Sequence, residues 1–204
     1  MLVTFCAAAA LAQRNLPGRK FVQTVMIITM FFSGGLIPTY LLVNSLGMLN
    51  SYWALIIPGL TSCWYIMLTR NFIQSLPSSF AESALIDGAH PITITFKIIF
   101  PLSMPIIAVL LLWFGVGHWN SYFDAMIYNR EAKYVVLQQL LRRILIDSSV
   151  DEFARNALRD QTALTTPQTV KAATIIISIV PIVCVYPFLQ KYFVKGILLG
   201  GLKG

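Results

Sequence analysis

The chain has 204 residues, 57% of them hydrophobic and 11% charged, with a mean hydropathy of +0.73 and a net charge of +7. An ordinary soluble domain is about a quarter charged, so this composition excludes a water-soluble fold and defines an integral membrane protein. No nucleic-acid motif accompanies the positive charge, which reads as a topology signal and an attraction to anionic headgroups.

Met1 to Gln13 is uncharged but too short to cross a bilayer, which takes about 20 residues. Its "AAALAQ" could be taken for a signal-peptide cleavage region, but no basic segment precedes it. The favoured expectation is a partial span, the inner end of a helix that begins outside this chain. Phe21 to Thr69 carries no charge and is more than twice the length of one crossing. It is expected to hold two spans, about 21–43 and 52–69, with the turn at Asn44 to Ser51 around Gly47. Two later uncharged runs, Ile98 to Phe123 and Ala172 to Gln190, are each long enough to cross, and the spans are expected at about 101–125 and 168–190. Spans this apolar must satisfy their backbone groups internally, and the alternation of a membrane β-barrel is missing, so the expected fold class is an all-α polytopic bundle forming one domain over 1–204. Pro38, Pro58, Pro105 and Pro181 invite kinks, and Gly34-Gly35 with Gly115-x-Gly117 allow close helix approach.

Charge fixes the orientation. If Arg14, Arg19 and Lys20 are cytoplasmic, Arg70, Lys97, Lys191, Lys195 and Lys203 fall on the same side, against only Glu82 and Asp87. The opposite side, an extracytoplasmic segment over 129–167, has charges that nearly cancel, as the positive-inside rule requires. Within it Leu137, Leu140, Leu141, Ile144 and Leu145 form an apolar stripe opposite Gln138, Gln139, Arg142 and Arg143, expected to pack on the span ends. The lysine-bearing C-terminal tail reads as an interfacial anchor.

The cytoplasmic loop 78–100 is the least membrane-like part of the middle of the chain. Ser79-x-x-Glu82 reads as a capping box opening a helix, Gly88 as its left-handed end and Pro91 as the first turn of the next helix. Ile92, Phe96 and Ile99 then form one apolar face expected to rest on the spans. A helix of about two turns is not stable alone in water and needs a surface to pack on. That surface is either its own membrane domain, making residues 79–90 a connector, or a pocket in another protein.

The cysteines Cys6, Cys63 and Cys184 form no Cys-x-x-Cys pair, and His90 and His118 have no neighbouring ligands, so neither a metal nor a bound cofactor is expected. No nucleophile or acid-base constellation is visible, so the chain is expected to be non-catalytic. In the third span Asn120 and Asp124 lie one turn apart, and with Trp119 they are candidates for a substrate path.

"ESALIDGA" followed after eleven residues by "PLSMP" resembles the EAA loop of permease subunits of binding-protein-dependent ATP-binding-cassette importers. The resemblance covers Glu82, Ala84, Asp87, Gly88, Ala89, Pro101 and Leu102, with Ser83 where the family has Ala. Trp119-Asn120 with Phe123, and the ending "YPFLQKYFVKGILLGGLKG", resemble the carbohydrate branch, most closely the subgroup moving oligosaccharides or polysaccharide fragments. The resemblance implies a maltose-permease-like helical bundle, N-terminally shortened, in a bacterial inner membrane. It also implies a coupling helix at Glu82, Ser83, Ala84, Asp87, Gly88 and Ala89 that docks on a cytosolic ATPase dimer, a second permease subunit in a heterodimer, and an extracytoplasmic sugar-binding protein. The chain has no Gly-x-x-x-x-Gly-Lys-Ser/Thr, so ATP is expected to be used by the partner. The rival class is a secondary transporter or membrane assembly factor in which 79–90 is only a connector.

Overall fold

The computed structural model describes the backbone of residues 1–158 and 167–201 and the side chains of residues 1–147 and 168–187. In chain order the helices are α1 (Leu2–Ala12), α2 (Arg19–Phe31), α3 (Leu36–Ser45), α4 (Trp53–Ile56), α5 (Cys63–Ser75), α6 (Ser79–Ile86), α7 (Pro91–Ile94), α8 (Phe100–Leu102), α9 (Met104–Trp119), α10 (Tyr122–Tyr128), α11 (Leu137–Leu158) and α12 (Pro167–Gly201). A π turn, Thr95–Ile99, joins α7 to α8, and a 3-10 turn, Ala132–Tyr134, precedes α11. No strand occurs among the described residues.

The expected spans are more broken than composition suggested. Residues 21–43 form two helices bent by 115°, because the chain leaves α2 at Phe32 and turns through Gly35 at φ +86°, a conformation that glycine adopts without strain. Residues 52–69 hold only the single turn of α4 before Pro58-Gly59 interrupts it, after which α5 runs on to Ser75. In 101–125 the chain bends by 78° at Ser103, runs through α9, breaks again at Asn120-Ser121 and resumes as α10. Within α12, Gln168–Pro187 is long and apolar enough to cross a bilayer by itself, and the two bent pairs meet that test only when each is taken as one span. Pro38 and Pro105 fall in the first turns of α3 and α9, where proline costs no hydrogen bond, whereas Pro181 and Pro187 lie inside α12. Gly115 and Gly117 have open space where a Cβ would stand, so they serve no close helix approach among the described residues. Lys203 lies outside the described residues, as do the side chains of Lys191 and Lys195.

The chain divides into two compact units. The first comprises Met1–Thr39, Ile56–Phe114 and Leu189–Gly204. Its centre is α1 against α5: Phe5 and Ala8 are fully buried, and the small residues Ala8 and Ala9 let the helix pack closely. Phe5 packs with Ala9 and Ile107, and Ala8 with Leu11 and Ile66. The hydroxyls of Thr4 and Thr61 share a hydrogen bond of 2.9 Å. Where α1 ends, Arg70 Nε donates to the Leu11 carbonyl (3.4 Å) and Gln74 Nε2 to the Ala12 carbonyl (3.2 Å), so two residues one turn apart on α5 satisfy carbonyls that α1 leaves open. The aromatic side of α5 continues in Tyr65, stacked on Trp113 and edge-on to Phe114.

The second unit comprises Tyr40–Leu55 and Gly115–Phe188. Here the turn after α3 and the turn after α10 are tied by backbone and amide bonds. Asn50 N–H donates to the Tyr128 carbonyl (3.0 Å), Ser51 N–H to Asn129 Oδ1 (3.0 Å) and Arg130 N–H to Asn50 Oδ1 (2.9 Å). Asn50 holds φ +52°, a left-handed conformation that asparagine tolerates better than most residues. Tyr40 stacks on Tyr128, Val43 and Ala54 are buried beside it, and Tyr52 meets Tyr134 edge-on while donating to the Lys133 carbonyl. The Glu131 carboxylate, 3.0 Å from the Lys133 ammonium, hydrogen-bonds it and raises its pKa above the ordinary lysine value, with Tyr134 adding to the effect.

The apolar stripe expected on α11 is only partly covered by the described residues. Leu137, Leu140 and Ile144 are exposed, whereas Leu141 and Gln139 are buried. Stripe arguments assume water on the open side, and an apolar surface that meets lipid or another subunit does not obey them. The same holds for α12, where Ile175, Ile176, Ile179, Val180 and Val183 are all exposed.

Candidate functional site

Loop 78–100 forms a short outward-facing helix followed by a jointed connector. The capping box does not form: α6 begins at Ser79 with Ser78 as its N-cap, and no side chain caps it. Ser78 is itself in a right-handed helical conformation, so its backbone carbonyl receives the Ala81 and Glu82 N–H groups (3.0 Å each) and the turn closes without side-chain help. The C-terminal end follows the sequence expectation. Gly88, at φ +76°, donates to the Leu85 carbonyl (3.0 Å), and Ala89 N–H donates to the Ala84 carbonyl (2.9 Å), the paired bonds of a Schellman motif.

Helix periodicity then decides which residues face out. Ala84 is buried and Ala81 half-buried, so that side of α6 rests on its own unit. Glu82, Ser83 and Ile86 project from the other side, and Ile86 is 86% exposed. Asp87 and Gly88 are exposed at the C-terminal end and Ala89 is half-buried. Of the six residues assigned to coupling, Glu82, Ser83, Asp87 and Gly88 therefore form an accessible surface, while Ala84 serves as packing. Ile86, on the helix face shared by Glu82 and Ser83, adds an apolar residue to that exposed surface.

Beyond α6, His90 is the N-cap of α7: its Nδ1 accepts from Ile92 N–H (3.3 Å), which requires the neutral tautomer protonated on Nε2. Pro91 at the first helical position marked that cap in advance. The apolar face proposed for Ile92, Phe96 and Ile99 is corrected by the π turn. Ile92 and Phe96 are exposed, whereas Ile94 is buried and Ile99 and Phe100 pack on the cluster of Phe5, Ala9 and Ile107. A π turn adds one residue, which rotates the following side chains by about 100° and breaks a strict 3.6-residue pattern. Phe100 meets Phe5 edge-on, with ring centroids 5.0 Å apart and planes at 85°. Three residues later Ser103 is fully buried at the bend into α9, and its hydroxyl has no hydrogen-bond partner.

The three residues assigned to a substrate path do not share one helix. Trp119 ends α9, half-buried, with its indole N–H donating to the Ser178 carbonyl (3.0 Å). Asn120 is exposed in the break, and Asp124 is exposed in the first turn of α10, where its charge suits the helix dipole. The guanidinium of Arg142 sits over the Tyr122 ring, 4.5 Å from its centroid.

Bent apolar helices with exposed hydrophobic flanks, and one short charged helix exposed at the head of a jointed connector, make this chain a polytopic α-helical membrane protein. Over residues 3–199 the sequence matches the family described as binding-protein-dependent transport system inner membrane component, and the chain belongs to that family. The family is one of transport permeases rather than catalytic subunits. Protein LplC of Bacillus subtilis (strain 168) is 44% identical over 204 residues, covering 100% of this chain and 68% of its own length. The polygalacturonan/rhamnogalacturonan transport system permease protein YtcP of the same organism is 42% identical over 206 residues, covering 100% of this chain and 71% of its own. A crystal structure of a bacterial ABC transporter involved in the import of the acidic polysaccharide alginate contains a chain 35% identical, with a TM-score of 0.80, covering 91% of this chain and 66% of that one. The chain thus spans about two thirds of the length of these relatives.

Proposed function

We propose that this chain is a permease subunit of an ATP-binding-cassette importer in a bacterial inner membrane, crossing it several times and passing a sugar delivered by a solute-binding protein. The carried sugar is an oligosaccharide or polysaccharide fragment, a reading supported by the names of YtcP and the alginate importer. A cytosolic ATPase dimer hydrolyses ATP, and a second permease completes the path. The observation that carries the reading is α6 itself, with Glu82, Ser83, Ile86, Asp87 and Gly88 exposed while Ala84 anchors the helix from behind. In this mechanism closure of the ATPase pushes α6, the His90 cap passes the push to α7, and the π turn and Phe100 deliver it to Phe5 and α9. Trp119, Asn120 and Asp124 contribute polar and aromatic contacts to the sugar path.

The test is co-purification with the neighbouring permease and ATPase. Wild type retains the ATPase, and a Glu82→Lys/Ile86→Asp variant that inserts normally loses it. Equal retention by both would leave residues 79–90 as a connector and remove the mechanism.

A further inference from the structure

The short turn between α1 and α2 borders an open surface hollow of about 460 Å³ lined by Arg14, Leu16, Gly18, Arg19, Lys20, Phe21 and Gln23. Its chemistry is one-sided. Among the described residues no carboxylate pairs with Arg14, Arg19 or Lys20, and the sequence has no acidic residue before Glu82. With its amide oxygen turned toward them, Gln23 accepts from Arg19 Nε (3.1 Å) and from Arg70 Nε (3.0 Å), whose one N–H it shares with the Leu11 carbonyl (3.4 Å), so one neutral side chain lies between two guanidinium groups. Like charges gathered without a counter-ion repel, and an anion in the hollow removes that cost.

The surface beside the hollow tells which anion. α2 packs on its own unit through Gln23 and Met26, and on its opposite side Phe21, Val25 and Ile28 recur at helical spacing, all exposed. The cations thus sit where an apolar helix face begins. We propose that this hollow binds the headgroup of an anionic phospholipid, with its phosphate among Arg14, Arg19 and Lys20 and its acyl chains along Phe21, Val25 and Ile28. A free phosphate would use the cations and ignore the apolar face; an acidic segment of a partner protein would gain nothing from acyl-length apolar contact.

The experiment uses the full chain extracted from nanodiscs of equal phosphatidylglycerol and phosphatidylcholine, with retained lipid counted by native mass spectrometry. Wild type is expected to keep phosphatidylglycerol well above its share of the bilayer. Each pocket cation removed weakens retention about fivefold, so Arg14→Gln/Lys20→Gln falls by about 25-fold. Arg14→Lys/Lys20→Arg restores it, and Lys133→Gln, an exposed lysine of the other unit, changes nothing. Arg14 and Lys20 are exposed, so their loss leaves the packing of α1 on α5 intact, which unchanged helicity and elution verify. Equal retention of phosphatidylcholine, equal retention by the double variant, or displacement of the lipid by millimolar inorganic phosphate would each overturn the proposal. No readout depends on transport, so the outcome is separate from that of the importer reading.

Discussion

Gly88 offers a direct test of what the end of α6 requires. An added Cβ would stand in open space, with nothing within 4 Å, so among the described residues the glycine is needed for its φ of +76° and not for room. Alanine in that conformation costs about 1–2 kcal/mol, whereas asparagine, which enters the left-handed region more readily, costs a fraction of that. The loss falls on an eight-residue helix with no side-chain N-cap, whose two C-terminal bonds, from Gly88 and Ala89, depend on this turn. A penalty of 1–2 kcal/mol corresponds to roughly a 5- to 30-fold fall in the equilibrium constant between the intact and the frayed helix end. Gly88→Ala should therefore weaken retention of the ATPase by that factor in titrated co-purification, and Gly88→Asn should stay within about threefold of wild type. If both variants lose the ATPase alike, the site needs the absence of a side chain against its partner, and the conformational reasoning is refuted. Full retention by Gly88→Ala would refute it from the other direction.

The edge-on contact of Phe5 and Phe100 should appear as a coupling of about 1 kcal/mol in a double-mutant cycle of Phe5→Leu and Phe100→Leu, measured by unfolding in mixed detergent. Asn129→Ala removes the acceptor for Ser51 N–H and should lower stability by about 1–3 kcal/mol in the same assay. Ser103→Ala should be neutral or slightly stabilising, because the hydroxyl it removes is buried without a partner; a loss above about 1 kcal/mol would mean that the hydroxyl is satisfied in the membrane-embedded protein. His90→Ala should weaken the start of α7 by about 1 kcal/mol, while His90→Asn should restore it, read as the amide-exchange rates of residues 92–95.

Helix termini were legible where a single residue type dictates the backbone. Gly88 and Pro91 announced an end and a beginning, and both stand where the sequence put them. Ser79-x-x-Glu82 misled because the pattern locates a cap only if the serine lies outside the helix, and here Ser78 takes that position. The spans were legible as apolar runs but not as straight helices: nothing in an uncharged run distinguishes one crossing from two helices meeting at 115°. The Gly34-Gly35 pair reads in the sequence as a site of helix approach, whereas Gly35 makes the sharp turn. The amide clasp of Asn50 and Asn129 joins segments about eighty positions apart, and such pairings leave no local trace in one sequence.

The exposed apolar residues need a different argument from the buried ones. In water, burial of an apolar face identifies the core, and an uncovered face is a defect. In a bilayer, lipid covers apolar side chains as well as protein does, so the selective pressure that buries residues acts on polar groups and on close-packing small ones. The first unit follows that rule: Thr4, Thr69 and Ser103 are fully buried with Phe5 and Ala8, while Phe21 and Phe31 lie outside. A stripe of leucine or isoleucine therefore marks where a helix of this protein meets lipid or a neighbouring subunit, and the small and polar positions mark where it meets itself. By that criterion α1 and α5 form the internal seam, and the outward faces of α2 and α12 are the surfaces that the bilayer or another subunit must cover.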